Sequence, residues 1–306
     1  MTPSKHVVSS AFALAVGLAV LSFSQEGWAF CRTRTCDPTD EMCERDATGC
    51  ITTGAFLHWT NACTSFDVHE AGSPKRGVTF DTANSLIADA LSKWVSVDCP
   101  GGKQPSLTIR NKGPVACGVP IYNSDGPNAN VWMFADKEWV HVSDAHTLAL
   151  TTVRYDPANG EIYDADVEIN SAQSIITTGD VNIGADLESI VTHESGHFFG
   201  LSHSENSDAT MWAGYSPGKT NMRALAQDDV NAICEAYPQG REVASPTCEP
   251  RRGFTKQCSE DLSSGGCSVA PRGLPAQSSS LPSSLAWPSV SLMGAALAFW
   301  ARRRRA

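Results

Sequence analysis

The stretch His-Glu-Ser-Gly-His-Phe-Phe-Gly-Leu-Ser-His spans residues 193–203. If it is helical, His193 and His197 lie one turn apart on the same face, so their imidazoles project together. Gly200 permits a sharp turn out of the helix, because glycine readily adopts left-handed backbone conformations. The chain can then bring His203 back beside the other two rings. Three imidazoles around one Zn²⁺ leave a fourth position open, which is typical of a catalytic zinc and not of a structural one.

Glu194 lies next to this predicted site and supplies the chemistry that a hydrolase needs. A carboxylate beside a zinc-activated water can accept the proton of that water as general base. It can then return the proton, as general acid, to the amine that leaves a broken peptide bond. A chance match is not a serious alternative, because requiring both Gly200 and His203 lowers its frequency roughly 500-fold at this glycine and histidine content.

The residues that follow carry a resemblance to a known family. Met211 lies eight residues beyond His203, in the stretch 208–215. A zinc-binding string of this type followed by such a methionine resembles the metzincin zinc peptidases. Ser204, Tyr215 and the stretch 225–231 are similar to the matrixin branch of that family.

This resemblance implies a role for each matching residue. It implies three zinc ligands and one catalytic base, namely His193, His197, His203 and Glu194. Met211 would form an apolar floor beneath the metal, and Tyr215 would lie near the substrate, where its hydroxyl could stabilise the oxyanion. The alternative for Met211 and Tyr215 is that both are simply core residues.

The resemblance covers residues 54–239 and departs from the family in two places. Ala213 stands where matrixins usually have a proline. The segment 143–182 lacks a recognisable Gly/Asp-rich loop with histidine ligands for structural zinc and calcium. The sequence therefore predicts one catalytic Zn²⁺ and gives no support to a calcium site.

The fold class predicted is α+β. The resemblance implies a twisted, mostly parallel sheet with an antiparallel edge strand, an active-site helix and a C-terminal helix. Helical spacing of apolar residues follows Asp81, and helices are also expected over about 186–199 and 226–236. Strands are expected over 78–80, 107–110, 131–134, 148–155 and 162–170, and the last two flank a hairpin turn at 156–160. Alternation in the last strand predicts one buried face and one solvated acidic face. The strand 148–153 is the candidate edge for an extended substrate.

Both ends of the chain resemble targeting segments. Residues 1–29 have the basic, apolar and small-residue regions of a signal peptide, with an uncleaved anchor as the alternative. Residues 267–306 place Gly-Cys, a Ser/Pro-rich spacer, an apolar run from Leu285 to Ala301 and four arginines in order. This order resembles a myxobacterial-type C-terminal sorting signal, and a plain tail anchor is the alternative. The expected location is the cell envelope or surface, or the medium once the tail is removed.

Composition agrees with export. The net charge of −10 argues against a general nucleic-acid binder, which needs a basic surface. Of 11 cysteines, Cys267 falls in the sorting segment, and the other ten are expected to form disulfides whose pairing the sequence does not give. Residues 30–53 are interpreted as a Cys-rich N-terminal extension and residues 240–266 as a Cys-containing, loosely structured linker.

Three weaker patterns remain open to interpretation. The stretch Cys117-Gly118-Val119-Pro120 resembles the cysteine switch of matrixin precursors, although a Cys99–Cys117 disulfide is the preferred interpretation. A minor metal site at three loop residues is weighed against solvated side chains, namely at His141, Asp144 and His146. The acidic residues 161–168 are interpreted as a solvated face in preference to a calcium site.

Together these patterns predict an exported zinc-dependent endopeptidase acting on proteins or peptides. Its other partners would be the C-terminal sorting machinery and, before processing, the membrane around the tail. The alternative is a non-catalytic surface binding or adhesion module on a metzincin scaffold. A non-peptidase zinc hydrolase is disfavoured by the third histidine and the methionine turn.

Overall fold

The computed structural model describes residues 29–36, 42–141 and 147–258. Five longer strands are present, namely β1 (Cys63–His69), β2 (Thr108–Val115), β3 (Val131–Phe134), β4 (Ala149–Tyr155) and β5 (Ile162–Ile169). Two short strands follow, β6 (Ile176–Thr177) and β7 (Ala185–Asp186), which pair with each other. The α-helices are α1 (Phe80–Val95), α2 (Leu187–Phe198) and α3 (Gln227–Ala236).

The main sheet has the order β2-β1-β3-β5-β4. Neighbours are parallel except for β4, which pairs antiparallel with β5 at the end of the sheet. The predicted α+β class, the mostly parallel sheet and the antiparallel edge strand are therefore confirmed. Strand β1 was not predicted, because all but its last residue are buried and its polar and apolar residues follow no simple alternation. The expected strand over 78–80 is absent, since Phe80 begins α1 after the capping residue Thr79.

One face of the sheet is covered by α1 and α2. Ile87, Leu91 and Trp94 on α1 are fully buried, as the helical spacing predicted. Burying each such side chain contributes about 1.5–3 kcal/mol to stability. The Trp94 indole also donates a hydrogen bond to the Thr192 carbonyl of α2 at 2.9 Å. This bond and the apolar packing fix the position of α2 against the sheet.

The opposite face of the sheet corrects the prediction of a solvated acidic surface. Asp164, Asp166 and Glu168 of β5 are buried. The C-terminal strap, residues 245–258, packs on this side, where Phe254 contacts a small apolar cluster that includes Val131. Burial raises the pKa of Asp164 to about 8 and raises that of Asp166 well above its usual value. Both faces of the sheet are thus covered, and burial favours the protonated form of Asp164 and Asp166 on the second face.

Ten cysteines within the described residues pair in five disulfides. The pairs are Cys31–Cys50, Cys36–Cys43, Cys63–Cys248, Cys99–Cys234 and Cys117–Cys258. The preferred Cys99–Cys117 pairing was wrong, because Cys99 bonds to Cys234 on α3 whereas Cys117 bonds to Cys258 in the strap. With Cys117 in a disulfide, its thiolate is not free to act as a cysteine switch.

The C-terminal strap also differs from the expected linker. Two of the five disulfides attach it to the domain, through Cys248 and Cys258. Backbone hydrogen bonds join it to the neighbouring loops, for example from Ala62 to the Ser245 carbonyl and from Ala116 to the Lys256 carbonyl, both at 2.8 Å. As far as Cys258, this segment is part of the folded domain.

Several predicted segments lie outside the described residues. These are residues 1–28 of the expected signal peptide, the whole tail 267–306, and two of the loop residues, Asp144 and His146. His141 is described, and its Nε2 atom lies 2.9 Å from a carboxylate oxygen of Glu168. None of the helices within the described ranges has the length and apolar character required to cross a membrane.

Asp67 on β1 generates a prediction about stability and pH. Its side chain is fully buried, neither carboxylate oxygen has a hydrogen-bond partner, and burial raises its pKa to about 7. The nearby Lys112 and Lys256 oppose this shift, and Glu249 adds to it. Between pH 4 and 7 the folded protein therefore binds more protons at this site than the unfolded chain does. Stability falls as pH rises through this window.

Asp67→Asn should abolish this loss of stability. The effect of the substitution on the free energy of unfolding should therefore be about 2–4 kcal/mol more favourable at pH 8 than at pH 4. Urea unfolding at both pH values measures the difference. The exposed Asp98, changed to Asn, is the control and should leave the pH dependence as it is in the wild type. An Asp67→Asn protein with the full wild-type loss of stability would contradict this account.

Candidate metal centre

The helix α2 is fixed at its first turn by a network of charged groups. Asp186 caps the helix by accepting hydrogen bonds from the Ser189 backbone N–H at 2.9 Å and from the Ser189 hydroxyl at 2.7 Å. Arg223 holds both oxygens of the same carboxylate, at 2.8 and 2.7 Å. Because this cap is doubly anchored, the direction of α2 and of the side chains on its half-buried face is well defined.

The three predicted ligands come together. The ligand nitrogens of His193, His197 and His203 all lie within 4.8 Å of one another, and the Nε2 atoms of His197 and His203 are 3.2 Å apart. Elsewhere in the described ranges, no group of three His, Cys, Asp or Glu side chains brings its ligand atoms this close. The buried acidic residues of β5 form no such group, so calcium stays without support.

Backbone carbonyls set the tautomer of two of these rings. His193 Nδ1 lies 2.7 Å from the Thr210 carbonyl, and His197 Nδ1 lies 2.9 Å from the Leu201 carbonyl. A carbonyl only accepts hydrogen bonds, so each Nδ1 carries the proton and each Nε2 keeps its lone pair. The lone pairs are directed into a shared space. This donor set fits Zn²⁺, which commonly takes imidazole nitrogens whose other ring nitrogen is hydrogen-bonded.

The electrostatic environment favours the neutral form of two of the imidazoles, those of His193 and His203. Burial, reinforced by the neighbouring His197, lowers the pKa of His193 to about 4. Burial also lowers the pKa of His203, with further contributions from His197 and His193. Neutral imidazole is the form that binds a metal ion, so these two rings can bind zinc at neutral pH without first losing a proton.

Gly200 makes the turn that the sequence predicted. Its φ is +85°, and a Cβ atom at this position would lie 2.5 Å from the Leu57 carbonyl oxygen. Both the left-handed backbone and the close approach of residue 57 therefore require glycine. The Leu201 N–H closes the helix end by donating to the Gly196 carbonyl at 3.0 Å. The chain then reverses and carries His203 to the other two rings.

Met211 is buried directly against α2. A Cβ atom added to Gly196 would lie 2.2 Å from the Met211 sulfur. The lack of a side chain at Gly196 therefore leaves the space that this methionine fills. The adjacent backbone is held by Asp229 of α3, whose carboxylate accepts from Thr210 N at 2.7 Å and from Met211 N at 3.0 Å. Sequence reasoning did not identify Asp229, although its position at the start of a helix in the pattern Asp228-Asp229 was visible.

Tyr215 contacts the start of α2. Its hydroxyl accepts a hydrogen bond from Asp186 N at 2.9 Å and donates one to the Lys219 carbonyl at 2.9 Å. These bonds tie the segment after Met211 to the helix cap. The expected role of the hydroxyl at an oxyanion stays a prediction.

The side chain of Glu194 extends from α2 to the edge strand β4. It is 6% exposed, and its Oε2 atom accepts a hydrogen bond from the Thr151 hydroxyl of β4 at 2.5 Å. Thr151 was missed by sequence reasoning, because 43 residues separate it from Glu194 and nothing in the local pattern marks it. The expected edge strand 148–153 is the observed β4, so the strand predicted to receive substrate also contacts the predicted base.

Comparison with known proteins agrees with this geometry. Residues 116–238 match the family model described as Matrixin, a range that holds all the predicted site residues. Metalloendoproteinase 1 of Glycine max is 38% identical over 168 residues, which cover 51% of this chain and 46% of that protein. Metalloendoproteinase 5-MMP of Arabidopsis thaliana is 38% identical over 84 residues, covering 28% and 21% of the two chains.

A vertebrate protein is similar over a shorter stretch. Matrix metalloproteinase-18 of Xenopus laevis is 36% identical over 72 residues, covering 21% of this chain and 15% of that protein. The chain thus spans less than half the length of these curated relatives. The metzincin-like α+β fold and the matrixin-like character of the segment around the histidines are established by these matches together with the sheet and helices described above.

Proposed function

We propose that this chain is a zinc-dependent endopeptidase of the matrixin type. The observation that carries the proposal is the convergence of three imidazoles beside Glu194, on and just after one helix. The names of the similar proteins, metalloendoproteinase and matrix metalloproteinase, support peptide-bond hydrolysis as the reaction. His193, His197 and His203 would hold the metal, and Met211 would pack beneath it.

Glu194 is assigned as general base and general acid. Zinc, when bound, supplies Lewis acidity toward a carbonyl oxygen and makes water more acidic. Glu194 takes the proton of the attacking water and passes it to the departing amine nitrogen. The Thr151 hydroxyl donates to Oε2, which orients the carboxylate and leaves Oε1 available to accept that proton. Thr151 is therefore a positioning residue for the base.

Strand β4 is the proposed docking edge for substrate. Among the described residues it is the last strand of the main sheet, and no other described strand pairs with its outer edge. An extended peptide can pair with such an edge through main-chain hydrogen bonds. The Thr151–Glu194 contact supports this position, because it brings the strand within one hydrogen bond of the base. The substrate class is accordingly protein or peptide in extended conformation.

Export is the proposed cellular setting. Five disulfides suit an oxidising compartment outside the cytoplasm. We assign residues 1–29 to a signal peptide, 30–53 to the Cys-rich extension and 54–239 to the catalytic domain. Residues 267–306 are assigned to the sorting signal, which would hold the protein at the membrane before processing. The mature protein would then be displayed on the cell surface or released.

The central prediction concerns Glu194. The wild-type protein should cleave an unstructured substrate such as casein, contain about one zinc per chain and lose activity with a zinc chelator. Glu194→Ala should keep the zinc and lose hydrolysis by at least about 100-fold, because the proton acceptor is gone while all three imidazoles remain. Substantial residual turnover would contradict the assigned role. Zinc binding without cleavage by the wild type would favour the binding or adhesion module.

A second prediction isolates the hydroxyl of Thr151. Thr151→Val should lower kcat about 10-fold with little change in KM, because the carboxylate loses its orienting donor. Thr151→Ser, which keeps the hydroxyl, should restore most of kcat. The matched control is Thr108→Val on the opposite edge strand, which also loses a threonine hydroxyl bond, to the Ala62 carbonyl. Equal kcat values for the Val and Ser variants at position 151 would rule out this role.

The sorting proposal has its own test. Deleting residues 268–306 should release active protein into the medium, because the apolar run and the arginine cluster are removed together. Fractionation with immunodetection locates the full chain and the truncated chain. A truncated protein still retained in the envelope would contradict a sorting role for the tail.

A further inference from the structure

The turn that carries His203 receives little support from its own helix. Gly200 N–H donates to the His197 carbonyl at 2.9 Å and Leu201 N–H to the Gly196 carbonyl at 3.0 Å, and these are the last bonds of the helix end. Beyond Leu201 the chain leaves α2, and His203 lies in neither a helix nor a strand. The position of the third ligand is therefore set by other parts of the molecule.

The Cys-rich extension supplies that support on one side. Ser202 N–H donates to the Cys31 carbonyl at 2.9 Å, and Thr33 N–H donates to the Gly200 carbonyl at 3.0 Å. These bonds form an antiparallel bridge centred on Arg32 and Leu201. On the other side of His203, Ser204 N–H donates to the Met211 carbonyl at 2.9 Å. The third ligand is thus held between the extension and the Met211 segment.

The extension is in turn attached to the domain core. The Thr33 carbonyl accepts a hydrogen bond from the buried Leu57 at 2.9 Å. A disulfide joins Cys31, the residue that accepts from Ser202, to Cys50. The second disulfide of the extension, Cys36–Cys43, closes a smaller loop nested inside the loop that Cys31–Cys50 closes. Cys31–Cys50 is therefore the covalent link nearest to the bonds that hold the ligand turn.

We propose that the Cys-rich extension is a clamp that positions His203 and so sets the metal affinity of the site, with the Cys31–Cys50 disulfide as its fastening. The inference rests on the metal site of the proposed function. Individual backbone hydrogen bonds contribute little net stability in water, and an irregular segment held by only a few of them opens locally unless it is tied down. The disulfide restricts that opening. Without it, metal binding must itself order the His203 turn, and the affinity falls accordingly.

The test compares two disulfides of the same extension in the full chain. Cys31→Ser/Cys50→Ser should bind zinc at least about tenfold more weakly than the wild type, whereas Cys36→Ser/Cys43→Ser should stay within about twofold. Affinity is measured by competition with a chromophoric zinc chelator, at a temperature well below the unfolding midpoint of each metal-free variant. Equal affinity in the wild type and both variants, or equal weakening in both variants, overturns the proposal.

A second pair of variants leaves all five disulfides intact. Thr33→Pro removes the N–H that donates to Gly200 and should weaken zinc binding. Thr52→Pro removes an N–H that donates to the Glu44 carbonyl at 2.9 Å, within the extension and away from the ligand turn, and should not. This pair keeps the proposal testable if the cysteine variants fail to fold. Equal zinc affinity in the two proline variants would overturn it.

The measurements separate this inference from the proposed function. A wild type that binds zinc but cleaves no protein would overturn the peptidase assignment, while the comparison of zinc affinities would still support or overturn the clamp. Unchanged zinc affinity with increased turnover in Cys31→Ser/Cys50→Ser would make the extension an inhibitor. That result would overturn the clamp and leave the peptidase assignment intact.

Discussion

The proposed metal site depends on the direction in which three imidazole rings present their metal-binding nitrogens. A histidine side chain can rotate and can carry its proton on either ring nitrogen, so neighbouring histidines do not by themselves make a metal site. Here the Thr210 and Leu201 carbonyls fix the protonated nitrogen of two rings, through His193 and His197. These carbonyls belong to the segment before Met211 and to the turn after α2. The ligands are therefore oriented by the parts of the chain that pack against the helix.

The helix that carries these histidines is itself held in place by contacts with distant parts of the chain. Asp229 on α3 holds the backbone at Met211, and Met211 fills the space that Gly196 leaves on α2. Arg223 and Asp186 fix the other end of that helix. The Thr151 hydroxyl connects the carboxylate of Glu194 to the edge strand. Helix α2, with Gly196 and the proposed base Glu194, is thus held by elements that are far apart from it in sequence.

The face of the sheet opposite α1 and α2 contains buried carboxyl groups and is covered by the strap. Both carboxylate oxygens of the buried Asp67 and the Oδ1 atom of the buried Asp164 lack hydrogen-bond partners. Burial raises the pKa of Asp67 to about 7 and that of Asp164 to about 8. The strap that packs on this side is attached through Cys248 and Cys258. These disulfides restrict the unfolded chain, which offsets part of the cost of the buried acids. The disulfides and the buried carboxyl groups are compatible for this reason.

The sequence by itself predicted which three histidines come together, the three helices and four of the five longer strands, because each depends on local spacing. Imidazoles four residues apart share a helix face, and a glycine at the helix end permits the turn to the third ligand. Only the tertiary structure decided the pairing of Cys117, the burial of Asp164 and the contact between Thr151 and Glu194. Alternation along β5 described one strand correctly but carried no information about the segment that covers it. Partners separated by 43 to 141 residues leave no local pattern, since packing of the whole chain brings them together.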